Sequence, residues 1–338
     1  MPMDSLDHLI LNEAPHLDPA WLAYENEVSL QAPKKAHASP LDRQPVYAEE
    51  CRQLNARMLA PCAPYHDLSH ISIQQLATAS SLDGFAIPLL RFSDESIEPA
   101  SKDNGVVAIY YHGGGLYVGE ADSEELSCRR IVHESAGVTV YSVGYRLMPG
   151  FPASTCVSDS LDAFAHVRAI HPSAKKFVLI GSSSGGQLAA TISQLAPRGS
   201  FHGVVLRCPV TSDGGRSLDL VPEHLRHAYT SASPSFVTSL LGVFGRAVPR
   251  DGLDRMPLEA GAEELGGMPR TWIQVCSNDT LYSDGVCYAM ALREAGAEVR
   301  VEVVRGWPHT FWLKAPGLAR AVEAEREMME GLRWVLES

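Results

Sequence analysis

Three serines stand in a row between glycines at Gly181-Ser182-Ser183-Ser184-Gly185, directly after the apolar run 176–180 and directly before the helical pattern 185–196. A serine hydroxyl is a poor nucleophile until a base takes its proton, and that base works only when a carboxylate orients it. A lone Gly-x-Ser-x-Gly is a weak signal. The setting strengthens it, because a buried strand, a tight turn and a helix are what a nucleophile elbow requires. Ser183, at the centre, is then the residue thrust outward, and the N-terminus of the helix behind it supplies partial positive charge where an oxyanion would form. Ser182 and Ser184 flank the tip and point elsewhere. The competing reading is a plain Gly/Ser turn whose serines cap a helix.

A second cluster, His112-Gly113-Gly114-Gly115, follows the apolar run 106–111 and precedes Ser183 by 71 residues. Consecutive glycines let backbone N–H groups approach a ligand closely. In the loop after an early strand they match an oxyanion-binding loop. A phosphate-binding loop is the rival, but neither GxGxxG nor GK[ST] is present. The order of a triad in such an architecture is Ser, then Asp or Glu, then His. Asp279 closes the run 271–278, 96 residues after Ser183, and His309 follows the next strand-like run, 30 residues further on. Asp284 is the competing acid, but it falls in a helical pattern. Of the other histidines, His66 and His70 have an i,i+4 spacing that a metal could use, with no third clustered ligand visible. No metal site is expected.

These residues need a scaffold that brings them to one edge. Strand-like runs occur at 70–77, 85–92, 106–111, 138–143, 176–180, 203–210, 271–277 and 299–304. Most of the later ones are continuously apolar, as strands of a parallel sheet covered on both faces must be. Helical patterns at 123–136, near 157–170, and at 185–196, 283–296 and 318–336 alternate with them. The alternation predicts a doubly wound, mostly parallel sheet flanked by helices. Residues 1–65 carry helical signals (20–28 and 47–59) but no strand. Residues 211–258, with a helix expected over 233–245, separate two strands by far more than an ordinary crossover. Both read as helical cap segments over the strand C-termini, added to a catalytic domain of residues 66–338.

The 338 residues are 45% apolar and 20% charged, an ordinary globular composition. A net charge of −12 without any large Lys/Arg cluster argues against nucleic acid or an anionic membrane surface as partner. The N-terminus shows no basic-then-apolar leader pattern, and no apolar run is long enough to span a bilayer. The seven cysteines, an odd number, match no CxxC or zinc pattern, and Cys208 and Cys276 lie in strand-like runs as buried thiols. A reduced, cytoplasmic setting is expected.

With these residues in hand, the chain resembles the hormone-sensitive lipase-like (HGGG) branch of α/β-hydrolase esterases over about residues 69–338. The stretch 145–159, YRLMPGFPASTCVSD, is similar to that family's YRLAPE…FPA…D; 265–285 is similar to its …LPP…DPLRDEG, and 306–311, GWPHTF, to its GxxHGF. The resemblance implies an α/β-hydrolase fold with Ser183, Asp279 and His309 as triad, and oxyanion donors at the N–H groups of Gly113, Gly114 and Ser184. It implies a cap built from the N-terminal region and the insertion after the sixth core strand, and no cofactor. The elbow departs from the usual GDSAGG at Ser182 and Ser184, and Gly144 and Gly150 stand where acidic residues are usual.

The function implied is hydrolysis of small or medium, relatively apolar esters through an acyl-enzyme, with a metabolite-specific biosynthetic role within that range. A dehydratase, lyase or cyclising enzyme on the same scaffold is the alternative. A small-molecule receptor is a further one, against which His309 is intact. Leu116, Tyr117, Trp307, Phe311 and Trp312 adjoin the catalytic loops and either line a substrate pocket or belong to the core. A homodimer accords with the resemblance, and the composition is neutral on it.

Overall fold

The computed structural model describes residues 5–30, 32, 39–96, 105–239 and 250–337. Eight strands form one sheet: β1 (Ser72–Ala79), β2 (Ala86–Ser93), β3 (Val106–Tyr111), β4 (Val138–Val143), β5 (Lys176–Ser182), β6 (Gly203–Arg207), β7 (Arg270–Asn278) and β8 (Val299–Pro308). Their order is β1-β2-β4-β3-β5-β6-β7-β8. β2 is antiparallel to both of its neighbours, and every pair from β4 to β8 is parallel. The predicted α/β-hydrolase sheet is therefore present, with all eight expected strands in it.

Nine α-helices lie among the described residues: α1 (Pro19–Glu27), α2 (Pro40–Leu59), α3 (Glu125–Glu134), α4 (Ala153–Ile170), α5 (Ser184–Leu195), α6 (Ala262–Leu265), α7 (Tyr282–Glu294), α8 (Phe311–Lys314) and α9 (Ala319–Leu336). Side chains alternate across each central strand, so the sheet has two buried faces. Ile109, Leu179, Leu206 and Ile273 pack against α4, α5 and α7. Ala108, Val178, Ile180 and Val205 pack against α3 and α9. Each fully buried Val, Leu or Ile contributes about 1.5–3 kcal/mol of transfer free energy.

Three expected elements differ in extent. The helix expected over 47–59 starts at Pro40, because Ser39 and Asp42 exchange hydrogen bonds as a capping box (3.2 and 3.0 Å). β6 stops at Arg207 because Cys208 turns the chain at a positive φ of 45°. Of the helix expected over 233–245, only a short turn at Pro234–Phe236 is described, and 240–245 lies outside the described residues.

Two parts of the chain outside the strand–helix alternation meet over the C-terminal ends of β7 and β8. Asn278 Nδ2 donates to the Pro15 carbonyl (2.6 Å) and to Thr238 Oγ1 (2.9 Å), so one side chain ties both segments down next to Asp279. Trp21 Nε1 donates to Ser239 Oγ (3.1 Å) and Glu25 Oε1 (2.8 Å). α2 lies on the loops after β3 and β4, with Asn55 Nδ2 on the Asp122 carbonyl (2.9 Å) and Gln44 Nε2 on that of Met148 (3.0 Å).

Candidate active site

β3 and β5 are adjacent parallel strands, with Tyr111 paired to Gly181 at their ends. The chain leaves β3 toward β4 on one side and returns as β5 on the other. That reversal opens a crevice at the strand C-termini, where open α/β sheets bind ligands. Ser183 sits at its tip with φ 54° and ψ −120°, a conformation non-glycine residues rarely adopt. The turn is as tight as glycine permits. A methyl group at Gly185 would lie 2.0 Å from the Tyr111 carbonyl oxygen, and one at Gly181 would lie 2.2 Å from that of Gly185. Leu116, Cys208 and Thr310, in the other loops around the crevice, also have positive φ.

β7 and β8 deliver the remaining groups. His309 Nε2 lies 2.9 Å from Ser183 Oγ, and His309 Nδ1 lies 2.6 Å from Asp279 Oδ2. A carboxylate only accepts, so Nδ1 carries the hydrogen, and in the neutral ring the Ser183 hydroxyl donates to Nε2. Asp279 is 1% exposed and is oriented in turn by the Leu281 N–H on Oδ1 (2.8 Å). Asp284, the competing acid, is committed elsewhere. It accepts from the Thr211 and Ser212 amides (both 2.9 Å) and from the Tyr229 hydroxyl (2.7 Å), anchoring the chain after β6.

The donors around Ser183 correct one expectation. The Gly113 N–H is not free: it donates to Glu124 Oε1 at 2.6 Å. Gly114 and Gly115 are half-buried, and Ser184 opens α5. Among the described residues no protein acceptor meets their N–H groups, so the loop's available donors lie one residue later than the resemblance implied. The Ser184 hydroxyl is used structurally, accepting from Leu116 N (3.1 Å). Tyr145 stacks on His112 at 4.3 Å and donates to its carbonyl (2.6 Å), bracing the same loop.

The candidate pocket residues need a second correction. Trp307, Phe311 and Trp312 form an aromatic cluster with Trp21, with ring centroids 4.5–6.0 Å apart. Trp312 is covered by the Arg207 guanidinium at 3.9 Å. Leu116 is fully buried in the core. Their neighbourhood to the catalytic loops in sequence does not put these four side chains in the crevice, whereas Tyr117 stays half-exposed on the loop. A cavity of about 630 Å3, lined by Arg91, Val106, Val138 and His171 among others, opens at the opposite, N-terminal strand ends.

Glu124 is the group that spacing alone missed. Nothing in Asp122-Ser123-Glu124-Glu125 marks which acid is buried. Burial raises its carboxyl above the usual carboxylate range, against the lowering effect of hydrogen bonds from Ser182 and Tyr110. Cys208 is a second: its Sγ, an Asp279 oxygen and a His309 nitrogen lie within 4.8 Å of one another, the one such His/Cys/acid group among the described residues. Asp279 and His309 are already engaged with each other there. His66 and His70, the pair with metal-like spacing, use Nδ1 on the Leu59 and Asp67 carbonyls.

Residues 108–313 match the alpha/beta hydrolase fold family, more than half of the chain. The chain belongs to that family. Ethyl acetate hydrolase of Pseudomonas putida is 29% identical over 260 residues, 74% of this chain and 79% of that protein. The FAD-linked oxidoreductase pytB of Aspergillus terreus is 32% identical over 251 residues; the match covers 70% of this alpha/beta hydrolase but spans only 30% of the relative. The solved structure of vibralactone cyclase superposes with a TM-score of 0.79 at 20% identity, covering 98% of this chain and 96% of that one, and so shares its fold. Among the described residues of this alpha/beta hydrolase, no helix is long and apolar enough to cross a membrane.

The pH dependence follows from the His309 pair. Burial works against a charged ring, and the Asp279 carboxylate outweighs it, holding the imidazole above its ordinary value. The base form needed for attack appears only as pH rises through that raised value. Activity is therefore expected to climb well beyond neutrality. In Asp279→Asn the acid limb should move to lower pH while kcat falls about 10⁴-fold. A pH–rate profile of both proteins checks this, and an unmoved limb in the variant would contradict it.

Proposed function

We propose that the chain is a serine carboxylic-ester hydrolase acting on small or medium, relatively apolar esters. The observation that carries this is the continuous line from Asp279 through His309 to Ser183 at hydrogen-bond distances, on an elbow at the N-terminus of α5. His309 takes the Ser183 proton as Oγ attacks the ester carbonyl. The resulting oxyanion rests on the N–H groups of Gly114, Gly115 and Ser184, each such donor being worth about 3 kcal/mol of barrier. His309 then protonates the leaving alcohol, and water activated by the same imidazole releases the acid. The N-terminal segment and the chain after β6 act as a cap over this crevice. No step in this sequence calls for a metal or a cofactor.

The test is hydrolysis of p-nitrophenyl acetate, butyrate and decanoate. Turnover highest on the two short esters and falling on decanoate is expected. A clear preference for decanoate would overturn the chain-length assignment, and no turnover of any of the three would overturn ester hydrolysis as the general activity. A second reading, in which a hydroxyl of the substrate itself captures the acyl group to close a ring, is favoured by one observation: Ser183 is 9% exposed. Product analysis on a hydroxy-ester distinguishes the ring from the free acid.

A further inference from the structure

The elbow of this chain has Ser182 where the family it resembles usually carries Asp, yet a buried carboxylate stands beside that position. Glu124, at the N-terminal boundary of α3, is 4% exposed. Its Oε1 accepts from the Gly113 N–H at 2.6 Å and from the Ser182 hydroxyl, while Oε2 accepts from the Tyr110 hydroxyl at 2.6 Å. Those partners belong to three parts of the crevice: β3, the glycine loop after it, and the elbow at the end of β5. A buried carboxylate satisfied by three donors is a rigid fixture, and hydrogen bonds to an ionised group are the strong ones.

We propose that Glu124 is the positioning residue of the oxyanion loop, clamping Gly113 to the elbow so that the next N–H groups face Ser183. The glycine loop has few side chains of its own to hold it. Gly113 passes so close to the elbow that a methyl group on it would lie 3.1 Å from the Ser182 carbonyl oxygen and 3.2 Å from Ser183 Cβ. Clamping Gly113 through its N–H sets where the chain leaves toward Gly114 and Gly115. Glu124 touches no reacting atom; it acts through the loop. The proposal rests on the reading of Ser183 as nucleophile.

The charge should also be relocatable. Ser182 Oγ and the Gly113 N–H share one oxygen of Glu124, so a carboxylate placed at position 182 reaches the same amide. Glu124→Gln keeps the shape and removes the charge. It should lower kcat on p-nitrophenyl acetate by about 100-fold with KM nearly unchanged, the signature of a loosened oxyanion donor. Ser182→Asp alone sets two carboxylates side by side and should also lower kcat. The double variant Glu124→Gln/Ser182→Asp should recover at least about tenfold over Glu124→Gln, a coupling that two unrelated losses of stability would not give. Thermal melting of each variant accompanies the kinetics.

The rate of Ser183 labelling by a fluorophosphonate, measured on all four proteins, reads the same loop without needing an ester. Wild-type labelling with slow labelling of Glu124→Gln and recovery in the double variant supports the clamp even if no ester turns over. Equal labelling and equal kcat in wild type and Glu124→Gln, or a double variant no better than the single one, overturns it while leaving ester hydrolysis intact. An unlabelled wild type overturns both.

Discussion

Ser183→Ala and His309→Ala should each cost about 10⁴-fold or more in kcat on a short ester, with KM little changed. Ser183 Oγ is the only hydroxyl that His309 Nε2 meets among the described residues, so removing it leaves no group to carry the acyl intermediate. Removing His309 leaves a hydroxyl with no base and an Asp279 carboxylate with no ring to orient. Because the two act as one unit, the double variant should be scarcely slower than either single one. Both variants should melt near the wild-type temperature, since neither side chain belongs to the main hydrophobic clusters. Turnover surviving in Ser183→Ala would mean another nucleophile, and Cys208, packed beside His309 and Asp279, would be the first to examine. Turnover surviving only in His309→Ala would mean that the hydroxyl is activated by a different base.

The triad was legible because its evidence is topological. Strand order fixes which edge carries strand C-termini: Ser183 and Asp279 follow runs buried along almost their whole length, and His309 follows the alternating run 299–304 of the edge strand β8. Runs of this kind marked all eight strands, including β2, whose burial largely alternates, and the mostly exposed edge strand β1. The oxyanion loop was legible only as a loop. Its glycines say that backbone N–H groups are available, not which of them is already used, and Glu124, in an acidic stretch with no pattern of its own, takes the first.

The aromatic residues failed for a related reason. Trp307, Phe311 and Trp312 are close in sequence to His309, but a side chain leaving a loop can enter either the crevice or the core behind it. Here Trp21 and Arg207, far away in sequence, draw them into the core. The YRL…D stretch shows the opposite case. It reads as part of a catalytic family signature, yet Arg146 and Asp159 pair through two hydrogen bonds of 2.9 Å and bind Ser80 and Asp83, fastening the β1–β2 turn to α4. Its role in this chain is structural.

The largest effect on stability is expected below the crevice, at Arg207. This side chain is fully buried on β6, and its carbonyl accepts the Ser183 N–H at 2.8 Å. The guanidinium donates to Gln274 Oε1 on β7 (3.0 Å) and to Glu325 Oε1 on α9 (2.7 Å), and it lies over Trp312 on α8. Glu325, itself 3% exposed, is the one acidic group paired with it among the described residues. Glu325→Ala leaves a cation in the core with its charge unanswered, and removing one partner of such a pair costs about 3–5 kcal/mol. Against a total of about 5–15 kcal/mol that is enough to unfold much of the population on mild heating. Urea denaturation should show the midpoint falling steeply, whereas Arg207→Met/Glu325→Leu, which buries no charge, should regain most of the loss. A double variant as unstable as Glu325→Ala would mean that the pair stabilises the fold outright. If it recovers as expected, the pair's contribution is to fix how β6, β7, α8 and α9 meet beneath Ser183, a matter of geometry that a well-packed apolar substitute matches in stability but need not match in register.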